Sequence, residues 1–308
     1  MRCYPPFIYA LPFAFTACGG GGGGSASSSA TLAPFIKFSS IVVPSTVRID
    51  GSSQQVNYIS DTNRVTSISA ATAFSSGASY VATYGSDMLT TKAVLTSATG
   101  TNITINTSKG DLIGSTNAFP SIDLGITAHG RDRVLSARPA AYGWDYQTFG
   151  VWTTGYATGS GTFGVASFGA ETGGSAIPLS GTGTFTGFAG GRYVDSSGAD
   201  FFVGSEMTAS TNFGTRSIAF STANTRTSAD LQTSIPNVNL NTAGTLSYSA
   251  GVNQFTGAVT TVGGGASNAA MTGSATGKFY GPTAQEIGGT FAVSGGGAAY
   301  LGAFGGKR

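Results

Sequence analysis

Cysteine is missing from residue 19 to the end of the chain: Cys3 and Cys18 are its two cysteines, and both fall within the first 18 residues. The body of the protein therefore has no disulfide staple and no thiolate for a zinc site. Histidine is almost as scarce, with His129 the single example. A Ser–His catalytic pair would have to be built on that residue, and no G-x-S-x-G elbow supplies the serine. Charged residues make up 9% of the 308 and nearly cancel, to a net +2, with no basic stripe, which argues against a nucleic-acid partner. Long 3.6-residue apolar periods backed by Ala, Leu, Glu and Lys are lacking after residue 30, so helices are not expected to form the core. The G-x-G-x-x-G match "GSGTFG" at 159–164 runs into a strand pattern where a phosphate-binding helix should begin, and in a chain with 48 glycines it is a chance match. These absences leave a protein that is not an enzyme and has no cofactor. Disorder is excluded by what is present: 40% hydrophobic residues, with 20 Phe and 12 Tyr, can bury a core.

The N-terminus has a different composition. "RCYPPFIYALPFAFTA" offers one positive charge, a short apolar run broken by prolines, and small residues ahead of Cys18. Residues 1–17 read as a signal peptide, too short and kinked for a good transmembrane helix. The segment resembles a bacterial lipoprotein signal, in which the cysteine is acylated and becomes the new N-terminus. Cys18 is thus the expected lipidation site and the membrane partner is reached through that anchor. Residues 18–30 form a Gly/Ser tether, and the stretch from Gly19 to Ser29 spans about 18 Å as a flexible coil. Such a tether lets a folded body stand off the lipid and reorient.

Past residue 30, "STVRID", "QQVNYIS", "RVTSIS" and "TNITIN" place apolar residues at every second position, with Gly, Asn, Asp and Ser between them. That is half-buried strand chemistry. Spacing loosens around "HGRDRVLSARPAAYGWDYQ", which marks a boundary between residues 31–139, a smaller β-rich domain, and residues 140–308. In the second part about ten strand candidates follow at regular intervals, many alternating a large apolar residue with Gly, Ser or Thr. Strand glycines allow bends and close approaches, which suits a closed sheet. The expected fold class is all-β: an antiparallel up-and-down β-barrel of about eight strands preceded by a smaller β-rich domain.

The last 32 residues carry a denser signature. "GKFYGPTAQEIGGTFAVSGGGAAYLGAFGGKR" contains Gly277, Phe279, Tyr280, Gly281, Pro282, Ala284, Glu286, Gly288, Gly289 and Phe291 in spaced positions, closed by Phe304, Gly305, Lys307 and Arg308. The stretch resembles the closing segment of the barrel lobes in transferrin-binding protein B and its relatives, surface lipoproteins of Gram-negative outer membranes. "YQTFGVW" at 146–152 resembles the first strand of the same barrels, so the likeness covers residues 140–308. It makes residues 31–139 a handle-like domain. Read physically, Pro282 can open one helical turn through Thr283, Ala284 and Gln285, and Gly288 and Gly289 let the chain re-enter the sheet at a sharp angle. These residues are expected to shape the barrel rather than to touch a ligand.

The resemblance implies capture of an iron- or haem-carrying protein or solute at the cell surface and its presentation to an outer-membrane receptor. It transfers no residue-level binding site. "AHGRDRVLSARPAAYGWD" and "GGRYVDSSGAD" are the loops to watch, since Arg and aromatic side chains are enriched at binding hot spots. Two other classes compete with this reading: a passive surface or adhesin lipoprotein without cargo, and an integral outer-membrane β-barrel, which would need an outward apolar belt.

Overall fold

The computed structural model describes residues 34–61, 64–87 and 89–308; the signal segment, Cys18 and the tether lie outside the described residues. Alternating sequence becomes alternating burial. In "SIAFSTANTRTS", Ile218, Phe220 and Thr222 point inward while Ala219, Ser221 and Ala223 face out. The strands divide into two antiparallel sheets. The first holds β1 (Ser45–Ser60), β2 (Val65–Ile68), β3 (Ser75–Tyr84), β4 (Thr90–Thr96), β5 (Asn102–Asn106), β6 (Leu112–Ser115), β7 (Ile122–Ile126), β8 (Arg133–Ala137), β9 (Gln147–Thr153) and β10 (Ser160–Gly169). The second holds β11 (Thr182–Val194), β12 (Asp200–Asn212), β13 (Ser217–Ser228), β14 (Ile235–Pro236), β15 (Thr242–Tyr248), β16 (Phe255–Gly264), β17 (Ala270–Tyr280), β18 (Glu286–Gly295) and β19 (Ala298–Lys307).

The second sheet is a closed eight-stranded, up-and-down barrel. Each strand pairs with its neighbour in sequence, β19 returns to pair with β11, and the two-residue β14 pairs with β13 outside the ring. Closure leaves no unpaired edge. The interior is filled by Phe185, Phe213, Phe220, Phe255, Phe279, Phe291 and Phe304, all at most 2% exposed, with Met207, Met271 and Leu246 between them. Rings of this size need glycine opposite them. Gly302 faces Phe291 and Gly277 faces Phe255 across the ladders, and a Cβ at Gly277 would stand 2.6 Å from the Phe255 ring. Outward positions on the same strands are small or hydroxylated, as in Thr272, Ser274 and Thr276 of β17. Aromatic inside and hydroxyl outside is the reverse of an integral outer-membrane barrel.

The first sheet runs β5-β4-β3-β1-β10-β9-β8-β7-β6, with β2 added to β1. It curls until its ends nearly meet. The Asn106 N–H donates to Asp111 across the β5–β6 connection (2.7 Å), and Ile105 of β5 fills the space beside Gly125 of β7. Ile49, Leu95, Ile103, Trp152 and Phe168 form its own core. A further apolar layer joins the two sheets, with Phe149, Val151 and Val165 on one side and Phe202, Leu301 and Ala303 on the other. Residues Leu32–Arg308 form one unit.

Two sequence expectations change here. The stretch from Gln147 to Gly169, assigned by likeness to the barrel, belongs to the first sheet: β10 pairs with β1 from Gly51 to Ile59, and β9 pairs with β8 and β10. The barrel's own strands begin at Thr182. The connection after β17 is also not a helical turn. Ala284 has φ 59° and Gly281 φ 84°, so the chain reverses through left-handed residues. A Cβ at Gly281 would stand 2.7 Å from the Tyr146 ring. Gly281→Ala is expected to destabilise the protein by roughly 1–3 kcal/mol, seen as a lower urea midpoint with unchanged m-value.

Candidate functional site

The C-terminal signature residues converge where the two sheets join. Glu286, fully buried at the start of β18, accepts the N–H groups of Asp145 (2.6 Å), Tyr146 (2.9 Å) and Gln147 (3.0 Å). Burial pushes its carboxyl pKa up, against those three N–H bonds and the nearby Lys307 charge. Lys307 donates to the Gly143 carbonyl (2.6 Å), and the Tyr280 hydroxyl pairs with Ser167 (2.8 Å). Lys278 bridges to Glu171 (2.6 Å), and Asn253 clamps the carbonyls of Thr172 and Phe279. Gly288 and Gly305 let Gln147 lie against the barrel wall: a Cβ at Gly288 would stand 3.1 Å from Gln147 Oε1. Their role is close approach between sheets rather than a sharp bend in the strand. The signature is a joint, made of buried polar groups.

The two segments singled out as exposed loops are mostly neither exposed nor loops. In "AHGRDRVLSARPAAYGWD", β8 takes Arg133 to Ala137 and a four-residue helix, α1 (Pro139–Tyr142), follows. Arg138 pairs with Asp123 and Arg133 lies over the Tyr156 ring at 3.8 Å. Tyr142 stacks on Trp144 (4.5 Å) and on Phe188 of the barrel (5.7 Å). His129 and Arg131 remain exposed, in the turn before β8. In "GGRYVDSSGAD", Arg192 and Tyr193 belong to β11 and are 4% and 6% exposed. The residual loop is a tight turn in which Asp195 accepts the N–H groups of Ser197 and Ala199. Alternation buried what the composition of these segments suggested would be displayed.

A cleft of about 710 Å³ opens between the first sheet and the outer face of the barrel. The first sheet contributes Gln54, Val56 and Phe163, the extended segment 68–74 runs along one side, and β11, β17, β18 and β19 supply the barrel wall. Arg192 lines it as its single charged residue among those described. The guanidinium sits 3.9 Å from the Phe202 ring centre and 5.0 Å from that of Phe163, and it is ion-paired with Asp200. Burial, and after it the neighbouring charge of Arg133, lower the Arg192 pKa to about 9. Sequence reasoning found Arg192 as part of a loop but missed the cleft. The available signal was a single charged residue, an arginine, at an outward position of a strand otherwise made of Gly, Thr, Ala, Val and aromatics.

No group of three or more His, Cys, Asp or Glu residues able to hold a metal occurs among the described residues. The His129 ring is half-exposed, with Nδ1 3.2 Å from Thr127 Oγ1 and Nε2 3.9 Å from Asp132.

Residues 173–308 match the family model described as the C-lobe and N-lobe beta barrels of Tf-binding protein B. No curated protein sequence matches the chain. Among solved structures, a transferrin binding protein B mutant from Haemophilus parasuis Hp5 aligns at 11% identity and a TM-score of 0.45, over 85% of this chain and 76% of that one. A mutant of the same protein from Actinobacillus pleuropneumoniae H49 aligns at 14% and 0.45, over 83% and 98%. The isotype 1 protein from serogroup B Neisseria meningitidis aligns at 12% and 0.41, over 86% and 77%. The matched segment contains all eight strands of the closed ring and the joint residues that seat it on the first sheet, so this part of the chain is similar to the barrels of Tf-binding protein B.

Proposed function

We propose that the protein is a lipid-anchored surface protein of a Gram-negative outer membrane that captures an iron- or haem-carrying protein or solute and presents it to an outer-membrane receptor. The observation that carries this reading is the family match on a barrel whose interior is solid with aromatic side chains. A filled barrel has no internal ligand chamber, so recognition falls to its outer surface and connections, as in a binding module. The relatives' names include transferrin binding, which supports an iron-carrying protein as partner. Acylation at Cys18 and the glycine tether belong to the same proposal, as does binding without enzymatic chemistry.

The test has two arms. Cells expressing the wild type and Cys18→Ser are labelled with a radioactive fatty acid, and surface exposure is scored with external protease. Label and exposure in the wild type, both lost in the variant, are the expected outcome; label in neither overturns the anchor. The purified chain is then passed over immobilised transferrin, iron-loaded and iron-free, and haemoglobin. Binding that favours the loaded carrier supports capture, and binding to none of them assigns the protein to the passive surface class.

A further inference from the structure

We infer that the cleft between the first sheet and the barrel is a binding site for an amphipathic carboxylate, its apolar body lying on the floor of the cleft and its carboxylate at Arg192. This inference concerns a small molecule and stands apart from the capture of a carrier protein.

The size is right: about 710 Å³ falls within the ~300–1,000 Å³ of sites that enclose a drug-sized ligand. The chemistry is divided as such a ligand requires. Val56, Phe163, Val194 and Leu301 give an apolar floor, and Thr272 and Ser274 of β17 give a hydroxyl-bearing wall. No acidic side chain lines the cleft among the described residues, and Arg192 is its one charge. Asp200, the partner of Arg192, is not part of the lining. The Arg192 Nε has no hydrogen-bond partner, and neither has the buried Nε2 of Gln54, which also lines the cleft. Arg133 adds a second nearby guanidinium with no carboxylate within ion-pair distance among the described residues. Arg133 is half-buried and does not line the cleft, and Arg192 is paired with Asp200 through Nη2, so what this end of the cleft offers is the unpartnered Nε–H of a buried guanidinium.

Packing does not explain that arginine. A buried Arg–Asp pair contributes little net stability compared with apolar residues of similar volume, and a methionine would cover Phe163 and Phe202 as well. What the guanidinium adds is a flat, always-donating cation at the end of an apolar cleft, the group best suited to hold a carboxylate. The cost of holding Arg192 charged in this setting is offset when an anion docks beside it.

The purified full chain is titrated with 11-(dansylamino)undecanoic acid and followed by fluorescence, then competed with palmitate and with hexadecanol, the same chain length without charge. Saturable enhancement is expected, with palmitate displacing the probe at about tenfold lower concentration than hexadecanol. Ser274→Trp, at an exposed position of β17 facing the cleft, is expected to weaken the probe about tenfold while leaving the circular dichroism spectrum and urea midpoint unchanged. Arg192→Gln should erase the preference for palmitate over hexadecanol; should that variant fail to fold, Ser274→Trp still decides. No saturable binding by the wild type, equal displacement by the two competitors, or unchanged binding by folded Ser274→Trp overturns the inference. None of these results touches carrier-protein capture, which is read from immobilised transferrin and haemoglobin.

Discussion

Glu286→Ala is expected to lower stability by roughly 4 kcal/mol, because it strands three donors, that of Gln147 buried and those of Asp145 and Tyr146 part-buried, at about 1–3 kcal/mol each, less what local relaxation and water recover. The N–H groups of Asp145, Tyr146 and Gln147 all end on this one carboxylate, two of them on Oε2. The residues they belong to lead into β9, which with β10 is where the first sheet meets β18 and β19. Loss of the acceptor therefore loosens the joint rather than the barrel interior, whose aromatic core lies on the other face of the wall. Part of the loss is returned, since the buried carboxylate was itself costly to desolvate, as the upward push on its pKa shows. Glu286→Gln should fall between alanine and wild type: it keeps one acceptor oxygen but points an amide N–H₂ at groups that are themselves donors. Urea unfolding measures both changes. Amide exchange adds the location, with faster exchange at residues 145–147 and little change inside β16. A loss below about 1 kcal/mol for the alanine variant would mean that water or another acceptor already serves those N–H groups.

Phe279→Ala is expected to cost a similar or larger amount, roughly 3–5 kcal/mol, through a cavity at the centre of the barrel. The Phe279 ring is fully buried and meets Phe185 and Phe213 at 6.0 Å, Phe255 at 5.4 Å and Tyr248 at 5.3 Å between centroids. Four neighbours lose a partner together. The wall cannot collapse inward to fill the space, because each strand is held on both sides by the closed ladder. Phe279→Leu, which keeps much of the volume, should cost well under half as much. Ile235→Ala, at an exposed position on β14, is the control and should stay within about 0.5 kcal/mol of wild type. If Phe279→Ala were as mild as that control, the barrel interior would be looser than the packing of its rings indicates.

The barrel was legible in the sequence because its signals are local. Period-2 alternation in β13, β16 and β17 gives each strand an inside, and glycines opposite phenylalanines are visible as soon as two neighbouring strands are aligned. The spaced signature from Gly277 to Arg308 marked the end of the ring, and the structure shows why it is demanding: Glu286, Gly288, Gly305 and Lys307 all serve contacts to residues 143–147. The candidate site was less legible. Arg192 stood in a stretch rich in Gly, Ser and Asp that reads as a loop, and its outward face mattered only once β1 and β10 were known to lie over it. The same applies to Tyr142 and Trp144, whose exposure in an isolated loop is reversed by stacking against the barrel.

By itself the sequence determined an all-β chain with a cysteine-free body, a poor supply of catalytic and metal-binding groups, and about ten strands of the right character for a barrel. Those properties follow from residue type and from a two-residue period, both of which act over a few positions. The tertiary structure decided which strands share a sheet, that β9 and β10 leave the barrel to pair with β1 and β8, and that a cleft with one buried arginine lies between the sheets. Alternation tells a strand which side chains are buried, but it does not name the strand's partner, and β9, buried at all seven positions, shows no alternation at all. Partners more than a hundred residues apart are chosen by the packing of whole sheets.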